Sequence, residues 1–295
     1  MTTSRTPPAV PPSAPPPAPA RPPAEVVAAL RAAGCVFAEE EAALLVRAAA
    51  SPDRLAALVT RRAAGEPLEH VVGWAEFRGL RIDLAPGVFV PRRRTEFLVA
   101  RALALAPAAR TVVDLCCGSG ALGAVLAAAL PGAELHAADI DPAAVACARR
   151  NLAPYGGRVH HGDLYAALPG ALRGRVEILA ANVPYVPTAD IRLLPAEARE
   201  HEPAVALDGG PDGLAVLRRV AEGASGWLAP GGCVLAETSA RQAPAALRAF
   251  TEAGLTAAVA VCEETEAHVI TGVLPRAELP GFPEPESPED PERTR

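Results

Sequence analysis

Short apolar runs and helical stretches alternate along the chain from residue 95 onward. Five short segments are predicted as strands, and they span 111–115, 134–138, 158–160, 176–181 and 232–237. Alternation of this kind predicts an α/β fold with a doubly wound parallel sheet. Two further apolar segments, 256–261 and 268–274, follow the last helix and predict an antiparallel hairpin that closes the sheet.

The chain before this α/β region has a different pattern. Residues 24–70 are helical in character, with Gly34 closing a first helix and Ser51-Pro52 opening a later one as N-cap and first-turn residue. Residues 71–94 space aromatic side chains among glycines, which predicts a hairpin linker. The predicted organisation is a proline-rich tail (1–23), a small helical domain (24–70), the linker (71–94), the α/β domain (95–275) and an acidic, proline-rich tail (276–295).

Composition and charge exclude several classes of function. A net charge of -6 and a pI near 5.6 argue against tight, nonspecific binding of nucleic acid. The six cysteines form no C-x-x-C pair, which is typical of reduced thiols rather than of disulfides or a metal site. The sequence shows no secretion signal and no apolar stretch that would span a bilayer, so we expect a cytoplasmic protein that does not bind membranes.

The most informative segment follows the run 176–181, where the chain reads Asn182-Val183-Pro184-Tyr185. Open α/β sheets bind ligands beyond the carboxyl ends of their strands. The Asn182 amide oxygen can accept a hydrogen bond from a planar NH2 group, Pro184 stiffens the turn, and Tyr185 offers a ring face. The segment predicts a pocket for a planar amine or amide, although Asn and Pro are also common in turns that end strands.

A glycine motif, G-x-G-x-x-G, follows the first strand of the α/β region at Gly118, Gly120 and Gly123. Glycines let the backbone approach a ligand closely at a helix N-terminus. Asp139 ends the next strand, where a carboxylate can accept hydrogen bonds from ribose hydroxyls. This pattern fits NAD and S-adenosylmethionine equally.

Residues at three strand ends favour S-adenosylmethionine. Asp114 can face a charged amino-acid end, Asp163 and Leu164 can bind the edge and face of an adenine, and Asn182 lies where a methyl acceptor would sit. Asp139 and Asp163 could also serve only as caps of a helix or turn. We predict S-adenosylmethionine as the cofactor, bound by Asp114, Cys116, Cys117, Gly118, Ser119, Gly120, Asp139, Asp163, Leu164 and Asn182.

From about residue 66 to residue 274, the sequence resembles the protein-glutamine methyltransferases that modify peptide chain release factors. The resemblance rests on 89–96, the Gly118 loop, Asp139, Asp163, Asn182 to Tyr185, and Glu202-Pro203 with Leu207, Gly209, Gly210, Asp212, Gly213 and Leu214. It implies a Rossmann-like, seven-stranded class I methyltransferase domain after a small helical domain that recognises the substrate. It also implies methyl transfer to the side-chain amide nitrogen of a glutamine, in the Gly-Gly-Gln motif of release factors.

The resemblance also implies roles for Asn182 to Tyr185, which we call the acceptor segment. Asn182 and the carbonyl of Val183 would receive the hydrogens of the substrate NH2 group, and Pro184 and Tyr185 would pack the amide plane, so that Asn182, Pro184 and Tyr185 are the catalytic candidates. Two departures from the family pattern stand out: Val183 replaces the usual first proline, and Cys116 and Cys117 occupy usual glycine positions. Val183 supplies a carbonyl as proline does, whereas the cysteines narrow the space beside the cofactor.

Two rival functions remain open at this point. An adenine-amine DNA or RNA methyltransferase would use the same pocket, but the acidic charge argues against it, and the arginine run 92–94 is typical of a solvated face or a partner of carboxylates. A noncatalytic module that binds S-adenosylmethionine and a partner would not need Asn182, Pro184 and Tyr185. No strong base is evident near Asn182, so catalysis is expected to rest on positioning. We expect a monomer that acts on a protein substrate. We expect it to bind no membrane and no metal, and we do not expect a nucleic-acid substrate.

Overall fold

The computed structural model describes residues 22–276, so the predicted tails lie outside the described residues except at residues 22, 23 and 276. Two compact units divide between Val72 and Gly73. The predicted boundary after residue 70 stays a prediction. Among the helices of residues 22–276, none has the length and apolar character needed to cross a membrane.

The first unit is helical over its described residues. Its helices are α1 (Ala24–Ala32), α2 (Ala38–Ala48), α3 (Pro52–Ala63) and α4 (Leu68–Val72). Ser51 caps α3, since its side chain accepts the Arg54 N–H at 3.2 Å, and Pro52 occupies the first turn. The buried apolar faces of these helices meet in a common core that includes Leu30, Leu45, Leu58 and Val71.

The second unit begins with an antiparallel hairpin of β1 (Trp74–Phe77) and β2 (Leu80–Asp83). A seven-stranded sheet follows, with strand order β5-β4-β3-β6-β7-β9-β8. Its strands are β3 (Thr111–Leu115), β4 (Glu134–Asp139), β5 (Arg158–His161), β6 (Val176–Ala181), β7 (Leu228–Thr238), β8 (Thr256–Cys262) and β9 (Ala267–Val273). Strands β3 to β7 pair in parallel and β8 and β9 form the closing antiparallel hairpin, which confirms the predicted α/β fold.

Helices cover both faces of this sheet. Val112 and Ile178 face the core under α5 (Glu96–Leu105), α6 (Ala121–Ala129) and α7 (Pro142–Leu152). Val113 and Leu179 face the opposite core, under α10 (Ala215–Ala224) and α11 (Ala243–Glu252). Because β3 and β6 are buried on both faces, their sequences are mostly apolar rather than alternating, with Asp114 in β3 and Glu177 in β6 as the ionisable exceptions. The short helices α8 (Ala196–His201) and α9 (Ala204–Leu207) lie between β6 and α10.

Strand β7 differs from its prediction. The predicted run began at residue 232, but the strand begins at Leu228 and includes Pro230-Gly231-Gly232. The pairing of β7 with β6 shifts register between Val176 and Ile178. A sequence rich in proline and glycine is typical of a turn, and here it forms an irregularity inside the strand.

Candidate active site

The carboxyl ends of the parallel strands bring the predicted site residues to one edge of the sheet. Asp114 lies near the end of β3 and pairs in register with Ala180 of β6, two residues before Asn182. Asp139 ends β4, and Asp163 follows β5. Since these strands are neighbours in the sheet, the glycine loop and the acceptor segment Asn182 to Tyr185 lie on the same edge.

The glycine loop is tied to the end of β4. The Cys117 N–H donates to the Ala138 carbonyl at 3.1 Å, and the Gly118 N–H donates to Asp139 Oδ2 at 2.8 Å. Gly118 has a φ of +53°, and a Cβ added there would meet no atom within 4 Å. This glycine therefore faces open space, as a backbone that contacts a ligand would.

Gly120 has a different reason to be glycine. Its φ is +80°, and an added Cβ would lie 3.1 Å from Leu152 Cγ and 3.2 Å from the Ala148 Cα. It thus allows α6 to begin close against α7. The side chain of Ser119, between the two glycines, is buried, and the Ser119 carbonyl accepts the Asn151 side-chain amide at 2.8 Å.

Asp114 lies behind this loop and is fully buried. Its Oδ2 accepts the Gly123 N–H at 2.9 Å, while Oδ1 has no hydrogen-bond partner among the described residues. Burial raises the pKa of Asp114 to about 7, and the nearby Asp139 charge adds to the rise while the Gly123 N–H opposes it. The carboxyl group is therefore poised between its neutral and charged forms near neutral pH.

Asp139 retains capacity to bind hydroxyl groups. Its Oδ1 accepts the Asp141 N–H at 2.9 Å and its Oδ2 the Gly118 N–H, which leaves each oxygen with a further lone pair. Burial raises the pKa of Asp139. Asp163 instead pairs with Arg219 at 2.6 Å, with both side chains about half exposed, so this ion pair adds little stability.

Two residues at these strand ends adopt a backbone conformation that favours glycine. Cys116 has a φ of +53° and Leu164 a φ of +45°. The left-handed conformation costs a side-chain-bearing residue about 1–2 kcal/mol, and such strain clusters at functional sites. Burial raises the pKa of the Cys116 and Cys117 thiols, so both stay protonated. Cys117 has no positive φ, so only the first of the two cysteines carries this backbone cost.

The acceptor segment presents an unpaired polar atom. Asn182 Oδ1 is buried and has no hydrogen-bond partner among the described residues. Val183 is 2% exposed and packs into the core between the sheet and α10, which anchors the segment. A buried amide oxygen without a partner costs about 1–3 kcal/mol, which a donor group from a ligand would recover.

A second loop, residues 207–214, packs against the backbone of the acceptor segment. A Cβ added at Gly209 would lie 2.7 Å from the Pro184 carbonyl oxygen, and one at Gly213 would lie 2.3 Å from the Tyr185 carbonyl oxygen. Gln242 joins the two segments, because its Nε2 donates to the Tyr185 carbonyl at 2.9 Å and to the Asp212 carbonyl at 3.0 Å. Close backbone packing therefore explains why glycines recur in 207–214.

Several known methyltransferases are similar to this chain in sequence. A profile of the methyltransferase small domain matches residues 80–192. A release factor glutamine methyltransferase from Geobacter sulfurreducens is 41% identical over 209 residues, which cover 69% of this chain and 72% of that protein. One from Moorella thermoacetica is 42% identical over 204 residues, or 67% of this chain and 71% of that protein. The chain belongs to the release factor glutamine methyltransferase family.

A relative of similar identity is named for another acceptor. The 4-amino-L-phenylalanine/4-methylamino-L-phenylalanine methyltransferase of Streptomyces pristinaespiralis is 40% identical over 208 residues, covering 67% of this chain and 70% of that protein. The resemblance stated from the sequence is confirmed. Relatives that are about 40% identical to this chain are therefore named for methyl acceptors of different kinds.

One carboxylate beside the acceptor segment was missed by the sequence analysis. Glu237, near the end of β7, is 2% exposed, and its neighbour Ala236 pairs in register with Ala181, next to Asn182. Glu237 Oε1 accepts the Tyr185 hydroxyl at 2.9 Å. Glu237 is thus an ionisable group on the strand next to Asn182, and the absence of a strong base for Asn182 stays a prediction. The sequence held a signal for Glu237, because this polar residue ends the predicted strand 232–237 much as Asn182 follows the strand 176–181.

The arginine run provides the partners of two buried carboxylates. Arg94 Nε lies 2.6 Å from Glu237 Oε1, and Arg92 donates to both oxygens of Glu202 at 2.6 Å. The Val90 N–H also donates to Glu202 Oε1, at 3.1 Å. Of the two alternatives for this run, partnership with carboxylates is confirmed for Arg92 and Arg94. Glu202 fixes its segment to the stretch that precedes α5.

Proposed function

We propose that the chain transfers a methyl group from S-adenosylmethionine to the side-chain amide nitrogen of a glutamine in a protein substrate, in the Gly-Gly-Gln motif of peptide chain release factors. The observation that carries the proposal is the buried, unpaired Oδ1 of Asn182 on the same edge of the sheet as the glycine loop. A primary amide offers the NH2 group that this oxygen lacks as a partner.

The residues present fit the cofactor. Gly118 faces open space, and Asp139 has lone pairs for ribose hydroxyls. Asp114 keeps one oxygen unpaired behind the loop. When bound, S-adenosylmethionine supplies a sulfonium methyl group, whose bond to sulfur breaks as the amide nitrogen bonds to carbon and then loses one proton. Asn182 would lie between cofactor and acceptor, and the remaining predicted cofactor residues would shape the same edge: Cys116, Cys117, Ser119, Gly120, Asp163 and Leu164.

The acceptor residues would act by orientation. Asn182 Oδ1 and the Val183 carbonyl would accept the two N–H groups, and Pro184 with Tyr185 would pack the amide plane. An amide nitrogen is a poor nucleophile because its lone pair is delocalised into the carbonyl. Alignment of reacting groups can supply up to about 7–11 kcal/mol, and acceptors aimed at the nitrogen stabilise the positive charge that grows there.

Glu237 is unsuited to remove the proton directly. Its two oxygens already accept from Thr95, Tyr185 and Arg94. Proton loss after methyl transfer is favourable without a dedicated base, because an N-protonated amide is a strong acid. The proposal therefore keeps positioning, rather than general base catalysis, as the source of rate.

An acceptor panel tests this function. Labelled S-adenosylmethionine is incubated with the chain and with a release factor, the same release factor carrying Gln→Glu in its Gly-Gly-Gln motif, 4-amino-L-phenylalanine, and adenine-containing DNA and RNA. We expect label on the unaltered release factor and none on its Gln→Glu form, because a carboxylate has no NH2 group. Label only on the free aromatic amine, or only on nucleic acid, would overturn the proposal.

A further inference from the structure

We propose that Glu237 is a positioning residue for the methyl acceptor, and that it acts through the ring of Tyr185 together with Arg94. This inference rests on the proposed function, because it assigns Tyr185 to the wall of the acceptor pocket. Glu237 lies outside the predicted site residues and outside the cofactor edge formed by β3, β4 and β5.

The contacts of Glu237 are those of a buried anchor. Thr95 Oγ1 donates to its Oε2 at 2.6 Å, the Tyr185 hydroxyl donates to its Oε1 at 2.9 Å, and Arg94 Nε lies 2.6 Å from the same Oε1. Three donors on two oxygens satisfy a carboxylate that is 2% exposed. The carboxylate is thereby fixed, and the groups that donate to it are fixed with it.

Tyr185 is held at both ends. Gln242 holds its backbone carbonyl, and Glu237 with Arg94 holds its hydroxyl. The Arg94 guanidinium carbon also lies over the ring, 5.6 Å from its centre. Burial and the charge of Glu237 raise the pKa of Tyr185, so the hydroxyl keeps its proton and donates. A flat acceptor group can then stack only where Arg94 leaves the ring uncovered.

Loss of the Glu237 charge should release this arrangement. The Glu237 carboxylate is buried, whereas the Arg94 side chain is about half exposed. Without the charge of Glu237, Arg94 would turn toward solvent, and the Tyr185 ring would lose the contacts that fix its orientation. Small misplacements of a reacting group can cost about 100-fold in rate. The effect should appear in kcat, because an interaction that aligns the acceptor matters most in the transition state.

A double-mutant cycle tests the proposal. We expect Glu237→Gln and Tyr185→Phe each to lower kcat by about 10- to 100-fold, with the Kd of S-adenosylmethionine unchanged. The double variant should lose no more than the worse single variant, because both changes break the same contact. Losses that multiply, or a cofactor Kd that rises in proportion to the loss in kcat, would overturn the inference.

A matched control distinguishes the positioning role of Glu237 from the effect of removing any carboxylate from the sheet. Glu177, on β6 of the same sheet, accepts the Thr111 N–H at 3.0 Å and lies away from the acceptor segment. Glu177→Gln should leave kcat unchanged. If Glu237→Gln fails to fold, Thr95→Val carries the test, since it removes one donor to Glu237 and no charge.

A spectroscopic measurement needs no acceptor. The chain has three tyrosines, so labelling with 3-fluorotyrosine gives three fluorine resonances, and Tyr185→Phe identifies the one from Tyr185. We expect Glu237→Gln to shift that resonance and Glu177→Gln to leave it in place. An unmoved resonance would overturn the inference. If the chain methylates only another acceptor of the panel, the proposed function has failed, and the cycle on that acceptor still decides the role of Glu237.

Discussion

Buried polar atoms without partners concentrate at the carboxyl edge of the sheet. The described residues contain five such side-chain atoms, and three of them, Asp114 Oδ1, Asn182 Oδ1 and Thr238 Oγ1, lie at the ends of β3, β6 and β7. An unsatisfied buried group needs an explanation, and a ligand that supplies donors is the simplest one at this edge. At the scale of single residues, a bound ligand would supply the hydrogen-bond partners that these buried atoms lack.

Asp114 should make stability depend on pH. Its pKa is about 7 in the folded chain against an ordinary value of 3.8, because burial disfavours its charged form. Between these values the folded chain holds a proton that the unfolded chain has lost. The contribution of Asp114 to stability is therefore greatest below about pH 4 and falls by about 1.4 kcal/mol per pH unit up to about pH 7.

The variant Asp114→Asn isolates this effect, since asparagine does not titrate. Urea unfolding of both proteins at several values between about pH 5 and pH 7 gives the two free energies of unfolding. We expect the wild type to lose stability relative to the variant as the pH rises. Other titrating groups cancel in the difference, and parallel pH profiles would contradict the burial of a titrating Asp114.

For single residues, the sequence predicts which polar residues lie at strand ends better than it predicts their hydrogen-bond partners. The positions of Asn182 and Asp139 at the ends of β6 and β4 could be predicted because each follows a readable strand segment, and their roles stay predictions. The partnership of Glu237 with Thr95 could not, because the two are 142 residues apart along the chain and meet only in the folded sheet. The left-handed conformation of Cys116 was also hidden, since cysteine gives no local signal for a positive φ.

At the scale of elements, the acceptor segment depends on a loop that packs against its backbone. The Val186 N–H donates to the Leu207 carbonyl at 3.0 Å, and the Gly209 N–H donates to the Val186 carbonyl at 2.9 Å. Together with the hydrogen bonds of Gln242, these bonds fix the backbone conformation of the residues that follow Tyr185. The geometry of Asn182 to Tyr185 is therefore imposed by the loop 207–214 as well as by β6.

The substitution Gly213→Ala should disturb this support. The residue has a φ of +76°, and the new Cβ would lie 2.3 Å from both the Tyr185 carbonyl oxygen and Gln242 Nε2. We expect a loss of more than about 1 kcal/mol in the free energy of unfolding, with a fall in kcat and an unchanged Kd of S-adenosylmethionine. Denaturant unfolding and steady-state kinetics measure both.

A second glycine provides the control for Gly213. Gly132→Ala places alanine at a similar φ of +82°, but its Cβ would meet no atom within 4 Å. This variant carries the backbone cost alone, so its kcat should match that of the wild type. Equal kcat in the two variants would show that crowding at Gly213 does not reach the acceptor segment.

Most elements of the fold could be predicted, because the buried strands are short, mostly apolar segments between helices. The predicted bounds of 111–115 and 176–181 match β3 and β6 as observed. The early start of β7 could not be predicted, since Pro230-Gly231-Gly232 has the local signature of a turn and only pairing with β6 makes it part of a strand.

At the scale of the whole molecule, the strand ends proposed to bind the cofactor and the segment proposed to bind the acceptor would contribute differently to function. We propose that the glycine loop and Asp139 bind S-adenosylmethionine whatever the acceptor is. Relatives about 40% identical to the chain are named for a protein glutamine and for a free aromatic amine. Both acceptors present a nitrogen next to a π system, so we infer that the choice between them depends on the surroundings of Asn182 and Tyr185.

The most direct test of the account follows the methyl group to its atom and ties it to Asn182. A release factor is incubated with S-adenosylmethionine and either the wild type or Asn182→Ala, and its peptides are sequenced by mass spectrometry over a time course. We expect one methyl group on the side-chain nitrogen of the Gly-Gly-Gln glutamine, about 100-fold or more slower with Asn182→Ala, and equal cofactor affinity. A methyl group on any other residue, or an Asn182→Ala variant as fast as the wild type, would contradict the account.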